Sequence, residues 1–286
     1  MFQNVLCAVD FSATSERAVE HAAAWAQLGD RTLELFHVVD PPIFMAPPEM
    51  PELYFSIEES MLRDAEERMG TLLARVRKSV PSATGRVSCG FPASLLLERI
   101  GAAKADLVVI GTHGRGAISR TILGSVADRL LRTSPAPVML VPPDGRSVAL
   151  RPKTIVTPTD FSPPAREALV IALAIAHEND AQLHVVHAYE IPAAVAHDES
   201  LARGLRTALS GQIGIEHPEL SREANVHTHA REGAAVATIL ALTEEVKADL
   251  VVIASSGRGR VATLLGGVTD RVTRTAHVPV LVLRPH

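Results

Sequence analysis

The residues best suited to chemistry in this sequence lie between 109 and 129, VIGTHGRGAISRTILGSVADR. An apolar run ending at Ile110 reads as the end of a buried strand. It breaks into glycines at 111, 114, 116 and 124 before a helix-like stretch opens near Ser125. Glycine tolerates positive φ and lets a ligand approach the backbone without meeting a Cβ. The first turn of a helix presents N–H groups without partners and the positive end of its dipole, so anions are favoured there. Ser125 adds a hydroxyl at that entrance. Strand, glycine-rich turn and helix start are together the parts of a phosphate cradle. It is not a Walker A loop, because no Gly-Lys-Ser/Thr occurs, nor a dinucleotide fingerprint, because the first βα turn, DFSATS, has no glycine. A second interpretation stands beside the ligand one: tight turns needed only for packing.

Other reactive side chains make weaker patterns. His227-x-His229 places two imidazoles on one face of a strand. No cysteine or carboxylate stands at ligand spacing beside them, so no metal site is expected. His184 and His187 fall on opposite faces of their own segment. Cys7 sits in a predicted strand as a small buried hydrophobe, and neither it nor Cys89 has a reactive setting. Two cysteines are also too few for a disulfide framework. The stretch DPPIFMAPPEMPELYF, residues 40–55, interleaves five prolines with Phe44, Met45, Met50, Tyr54 and Phe55. Proline keeps such a loop extended. It suits a flap or a docking surface for a protein partner, and equally a segment packed on its own domain.

Composition bounds the function classes. A chain of 286 residues can hold two domains with a core each. With 47% hydrophobic and 21% charged residues it is a folding sequence, not a disordered one. A net charge of −4 and 3% aromatic residues give neither the electrostatic footprint nor the stacking platforms of a nucleic-acid binder. The first residues, MFQNVLCAVDFSATSER, lack a basic leader and carry Asp10 where a signal core would be uninterrupted. ALVIALAIA, at 168–176, is far short of a membrane span. A cytoplasmic protein without membrane insertion is the expectation.

The cradle is written twice. NVLCAVDFSATSERAVEHAAAWA (4–26) parallels TIVTPTDFSPPAREALVIALAIA (154–176), KADLVVIGTHGRG (104–116) parallels KADLVVIASSGRG (247–259), and SVADRLLRTSPAPVMLV (125–141) parallels GVTDRVTRTAHVPVLVL (267–283). So long a period means two copies of a domain, 1–143 and 152–286, joined by a polar linker. In the first copy, strands are predicted at Asn4–Val9, Thr32–Val38, Arg86–Cys89, Asp106–Ile110 and Pro137–Val141. Ser12 is placed to cap the first helix, ending near Gly29, and Ser56 the second. Pro92 opens a third helix and Ser125 a fourth, while Ser162-Pro163 starts the first helix of the second copy. Five strands alternating with four helices per copy predict a doubly wound α/β domain with a parallel sheet covered on both faces.

Gly111-x2-Gly114-x9-Gly124-Ser125, between DLVVI and VADRLLRTSPAPVMLV, resembles the ATP-binding type of universal stress protein, as do AVDFS and HVVD. The resemblance covers nearly the whole chain, twice. It implies two tandem flavodoxin-like (adenine nucleotide alpha hydrolase-like) domains, each with five parallel strands and ATP at the switch point. Carried over, Asp10 meets the adenine or ribose end with Ala8 beside it, and Val38 offers its backbone to adenine. Gly111, Thr112, His113, Gly114, Arg115, Gly124, Ser125 and Val126 hold ribose and phosphates. Proline is common in the family where Ala8 stands. Asp10 has an alternative role, capping the first helix.

The second set is Pro158, Asp160, Ala188, Ala254, Gly257, Gly266, Gly267 and Val268. There Ala254 replaces the first glycine, and the serine position falls to Gly267 or Val268 depending on the alignment of the loop. ATP, with Mg²⁺, is thus expected more tightly in the first domain. His113 and Arg115 could touch the β- and γ-phosphates. The loop has no lysine and no metal-binding carboxylate follows it, so slow hydrolysis or none is expected and no catalytic residue is assigned. Family members pair domains through their last strands, which implies an internal pseudo-dimer here, with a homodimer open. The function implied is a nucleotide-dependent sensor or adaptor in the stress response. The rivals are a nucleotide-independent adaptor or chaperone-like scaffold and a slow ATPase or self-phosphorylating protein.

Overall fold

The computed structural model describes residues 1–29, 31–40, 51–113, 123–144, 151–256 and 265–284. Two compact units divide between Leu150 and Arg151. The first runs β1 (Asn4–Val9), α1 (Ala13–Ala26), β2 (Thr32–Val39), α2 (Pro51–Val76), β3 (Thr84–Cys89), α3 (Pro92–Ala102), β4 (Leu107–Gly111), α4 (Ser125–Thr133) and β5 (Val138–Val141). Its strands lie in the order β3-β2-β1-β4-β5, with every pair parallel. The chain winds outward from β1 to β3, then returns to start again on the other side of β1. The order therefore reverses between β1 and β4, where the carboxyl ends of two strands diverge and a crevice opens.

β1 and β4 are apolar runs buried on both faces, as central parallel strands must be. Ser12 caps α1 by accepting from the Ser15 N–H, and the helix ends at Ala26, just before Gly29 at φ 120°. Small residues on α1, Ala18 and Ala22 among them, are fully buried and let the helix lie close against β1 and β4. The repeated Lys-Ala-Asp fixes where β4 enters. Lys104 turns the chain at φ 49°, and the Asp106 carboxylate accepts the backbone N–H groups of Gln3 and Asn4 at 2.7 and 2.8 Å.

The second unit runs β6 (Thr154–Pro158), α5 (Pro163–Asn179), β7 (Gln182–Tyr189), three short helices α6 (Ala193–Ala196), α7 (Glu199–Ser210) and α8 (Gln212–Glu216), and a 3₁₀ turn at Pro218–Arg222. It continues through β8 (Val226–Glu232), α9 (Ala235–Glu245), β9 (Leu250–Ala254), α10 (Gly267–Thr275) and β10 (Val280–Leu283). Its order, β10-β9-β6-β7-β8, repeats the first with parallel pairs throughout. Ser162 caps α5 with Pro163 in its first turn, as the sequence indicates. Lys247 (φ 53°) and Asp249 reproduce the Lys-Ala-Asp turn, the carboxylate accepting from Lys153 and Thr154.

Two expectations are corrected. Ser56 does not cap the second helix: α2 begins at Pro51, whose fixed φ suits a first helical turn, and Ser56 lies inside it. The 41–50 part of the proline-rich stretch lies outside the described residues. The second unit also lacks a single long helix between β7 and β8. Gly211 and Pro218 divide that connection, the first separating α7 from α8 and the second opening the 3₁₀ turn.

His227 and His229 lie on β8 beside His184 of β7, whose Nδ1 is 2.9 Å from His229 Nε2. One proton joins the two nitrogens, and His227 is turned instead to Gln182, at 2.6 Å. Among the described residues no group of three or more His, Cys, Asp or Glu is arranged to hold a metal ion, and no described helix is long and apolar enough to cross a membrane.

Burial lowers two imidazoles well below the ordinary value. His21, on α1, falls to about 4, with Arg17 adding to the effect of burial. His184 falls to about 4 through burial and then its neighbours His229 and His227. Both are held neutral in the folded protein, whereas in the unfolded chain they protonate near 6.5. The unfolded state therefore binds more protons between pH 6.5 and 4, and stability falls as pH is lowered through that window. Denaturant midpoints at pH 7 and pH 5 should show the loss, and His21→Leu should shrink it, since His21 alone contributes on the order of 2 kcal/mol by pH 4. An unchanged midpoint in the parent chain would refute this.

Candidate functional site

The site is built around the turn that leaves β1. Phe11 sits there at φ 60°, a left-handed conformation that costs a bulky L-residue on the order of 1–3 kcal/mol. Its ring packs on His37 of β2, with centroids 4.5 Å apart, and on the Arg68 guanidinium of α2, 4.5 Å from the ring centroid. His37 is itself fixed: its Nδ1 lies 2.6 Å from the Val9 carbonyl oxygen, so that nitrogen must carry the proton and donate it. The second unit repeats the device. Phe161 is at φ 63°, its ring lies 4.4 Å from His187, and His187 Nδ1 donates to the Thr159 carbonyl at 2.9 Å. Buried His217 lies 6.0 Å from the Phe161 ring, centroid to centroid.

This turn resolves what Asp10 does locally. Its Oδ1 accepts from the Ser12 N–H at 2.9 Å and from the Ser12 hydroxyl at 2.6 Å, and Ser12 Oγ accepts from the Ser15 N–H. Ser12 is the cap of α1, and Asp10 orients that cap while its side chain also reaches the crevice. Asp160 and Ser162 do the same at 3.0 and 2.5 Å. Sequence reasoning missed His37 and His187. The signal was present, since a histidine recurs at the same place in both copies of the second strand.

Across the crevice, β4 ends at Gly111. The Thr112 N–H donates to Val141, and the Thr112 carbonyl accepts the Gly124 N–H at 2.8 Å, pinning together the two ends of the loop. Gly124 precedes α4 with no side chain capping the helix, and Ser125 and Val126 form its first turn. Thr112 is buried and bonds to its neighbour, its Oγ1 lying 2.7 Å from His113 Nδ1. His113 Nε2 is buried and has no hydrogen-bond partner among the described residues. Gly114 and Arg115 lie outside the described residues.

A cavity of about 190 Å³ brings the sequence-selected residues together. Ala8, Asp10, Val38, Gly111, His113, Gly124, Ser125 and Val126 all line it, along with Ser15, Phe36, Pro92 and Leu96. Thr112 does not reach it and serves the loop instead. The second unit has the corresponding cavity, of about 470 Å³, lined by Pro158, Asp160, Ala188, Ala254, Gly266, Gly267 and Val268. Gly257 lies outside the described residues. Backbone bonding settles the alignment that spacing left open. Gly266 N–H donates to the Ser255 carbonyl as Gly124 does to Thr112, so Gly267 is the counterpart of Ser125 and the second loop is one residue shorter. A new hydroxyl appears two positions further along the helix, where Thr269 donates to the Ala254 carbonyl at 2.7 Å.

The first glycine of the motif has a packing role. A Cβ on Gly111 would stand 2.8 Å from Thr14 Cγ2 and 3.2 Å from the Thr14 carbonyl carbon, on the α1 side of the strand. In the second unit Pro164 takes the place of Thr14, and Ala254 is accommodated. Replacing the first glycine there is thus a change of helix packing, not by itself a loss of ligand contact. At Gly267 an added Cβ meets nothing within 4 Å.

Each unit is thus a doubly wound domain with a pocket at its switch point, an uncapped helix start on one wall and apolar side chains on the other. The chain belongs to the universal stress protein family, whose sequence profile matches residues 1–142 and 152–284. A universal stress protein of Mycolicibacterium smegmatis is 30% identical over 289 residues, spanning 98% of this chain and 97% of that protein. The crystal structure of a universal stress protein from Archaeoglobus fulgidus superposes with a TM-score of 0.70 at 22% identity, over 99% of each chain. A further family member, solved in complex with cAMP, is 27% identical with a TM-score of 0.33, covering 47% of this chain and 98% of its own.

Gly111→Ala should lower the stability of the first unit by about 1–3 kcal/mol, because the inserted methyl overpacks the β4–α1 contact. Adding Thr14→Ala should restore part of that loss. Gly267→Ala should leave stability unchanged or raise it slightly. Urea midpoints of the three variants check this, and a neutral Gly111→Ala would refute the packing account.

Proposed function

We propose that the first unit binds ATP, with its phosphates against the start of α4 and its base in the apolar end of the cavity. The observation that carries this is the buried Nε2 of His113, which has no hydrogen-bond partner among the described residues, on a cavity wall that also holds an uncapped helix start. A buried polar atom without a partner is costly, and a phosphate oxygen would accept its proton. Ser125 would add a hydroxyl, and Gly124 and Val126 main-chain groups, with Gly114 and Arg115 supplied by the loop. Ala8, Phe36, Val38 and Leu96 give an aliphatic and aromatic setting for adenine, and Asp10 stands at its ribose side. Mg²⁺ would arrive on the phosphate oxygens and keep most of its water, needing no carboxylate cage.

Transfer of the γ-phosphate requires a positioned nucleophile and cationic charge. The described lining of the first cavity contains no lysine and one carboxylate, Asp10, which already accepts from Ser12. Binding without appreciable turnover is the resulting function. The protein would act as a nucleotide-dependent sensor or adaptor in the cytoplasmic stress response, passing the bound state to a protein partner. The second site, with Ser256 in place of His113 and Gly267 in place of Ser125, would hold ATP more weakly.

Denaturing freshly purified protein and quantifying the released nucleotide tests this directly, with about one ATP per chain expected on the argument that one site keeps its hydroxyl donor. Ser125→Ala should weaken ATP binding up to about tenfold, the worth of one neutral hydrogen bond. Gly267→Ser should strengthen the second site by a similar factor. No released nucleotide, with no thermal shift on adding ATP and Mg²⁺, would overturn the proposal in favour of a nucleotide-independent scaffold.

A further inference from the structure

Both pockets keep the backbone anchor at Gly124 or Gly266, and beyond the side-chain changes at that end they diverge at the other. Strand order puts β2 and β7 on the far side of β1 and β6 from the loops at Gly124 and Gly266, so the residues they contribute wall the ring end. Register makes the comparison position by position. Ala8 pairs with Phe36 in the first unit, and Pro158 with Val186 in the second. Phe36 and Val186 are therefore counterparts, and so are Val38 and Ala188, all four lining their cavities. A benzyl side chain becomes isopropyl, and an isopropyl becomes methyl. Pro158 is bulkier than Ala8 and opposes the trend, yet the second cavity is about 470 Å³ against about 190 Å³ in the first.

We propose that the second unit is a site for an anionic ligand with a larger ring system than the first unit admits. The chemical class is a purine nucleotide carrying an aryl substituent on its exocyclic nitrogen, and Phe36/Val186 with Val38/Ala188 are the residues that set the difference. This rests on the nucleotide-binding function proposed above. The wall left by the missing ring is apolar, lined by Val186, Ala188, Val236 and Ile239. An aryl group placed there leaves water, whereas in the first unit the same group meets Phe36, which is buried and packed.

The intact chain is titrated by calorimetry with N6-benzyl-ATP and, in parallel, with ATP. The expected result is one equivalent of N6-benzyl-ATP bound, at least about tenfold more tightly at the second unit than at the first, from the apolar area removed from water. Filling the space with Val186→Phe plus Ala188→Val should abolish that binding and leave ATP bound to the first unit. Opening the other wall with Phe36→Val plus Val38→Ala should raise the stoichiometry to two, which keeps the test intact if the filled variant does not fold. ATP binding without N6-benzyl-ATP binding would overturn this inference alone, as would two equivalents on the parent chain or binding unaffected by both pairs of substitutions. Uptake of neither nucleotide would overturn the nucleotide function, and this inference with it.

Discussion

Each unit depends on one strained turn. Phe11 and Phe161 are forced into the left-handed region at the end of the first strand. The cost of that conformation, on the order of 1–3 kcal/mol, must be offset locally or the turn would relax. Three contacts do so in the first unit: a histidine–carbonyl hydrogen bond, ring packing on that histidine, and a guanidinium over the ring. The consequences reach beyond the turn. It sends the chain back into α1 at once, puts Asp10 where it can both orient the Ser12 cap and face the crevice, and sets how closely α1 approaches β4. The crevice has its shape because the turn is this tight.

That approach distance explains part of the bare backbone in the glycine motif. Gly111 is needed because Thr14 of α1 leaves no room for a methyl group. The ligand-facing requirement begins at Gly124, where the chain must start a helix without a side chain covering its N–H groups. One motif thus combines a packing glycine with a cradle glycine, and their chemistry is unrelated. The second unit separates them: Pro164 accompanies Ala254 on the packing side, while Gly266 is kept on the cradle side with the same backbone bond.

What was legible in the sequence follows the range of the interactions involved. Strands buried on both faces announce themselves as apolar runs, and Ser12 and Ser162 mark helix starts through chemistry confined to one turn, so the architecture and the crevice could be located. Most of the cavity lining was legible for a related reason, since the motif residues lie at strand ends that the topology must bring together. The brace on the turn was not, because His37 meets Val9 and Phe11 only through the pairing of β1 with β2. Nor was the packing role of Gly111, which depends on a residue far off in sequence. The α2 boundary failed because Ser56 is a good cap in isolation, and Pro51 a better first-turn residue upstream. Breaks at Gly211 and Pro218 were visible as residues, but the likeness of the two copies extended the four-helix pattern of the first to the second and passed over them.

The division of labour among elements is what lets the two pockets differ without loss of the fold. One end of each cavity is lined by β4 and α4, or β9 and α10, and the other by β2 and α3, or β7 and α9. A change at Val186 or Ala188 alters the ring end but touches neither the Phe161 brace nor the Gly266 anchor, which are secured by backbone groups and by His187. With Gly267 at the serine position, the start of α10 is still tied to the end of β9, by Gly266 to the Ser255 carbonyl and by Thr269 to the Ala254 carbonyl. The lining at either end can therefore differ between the copies. The turn cannot, because its strain is tolerable only while the histidine, the phenylalanine and the carbonyl are all in place.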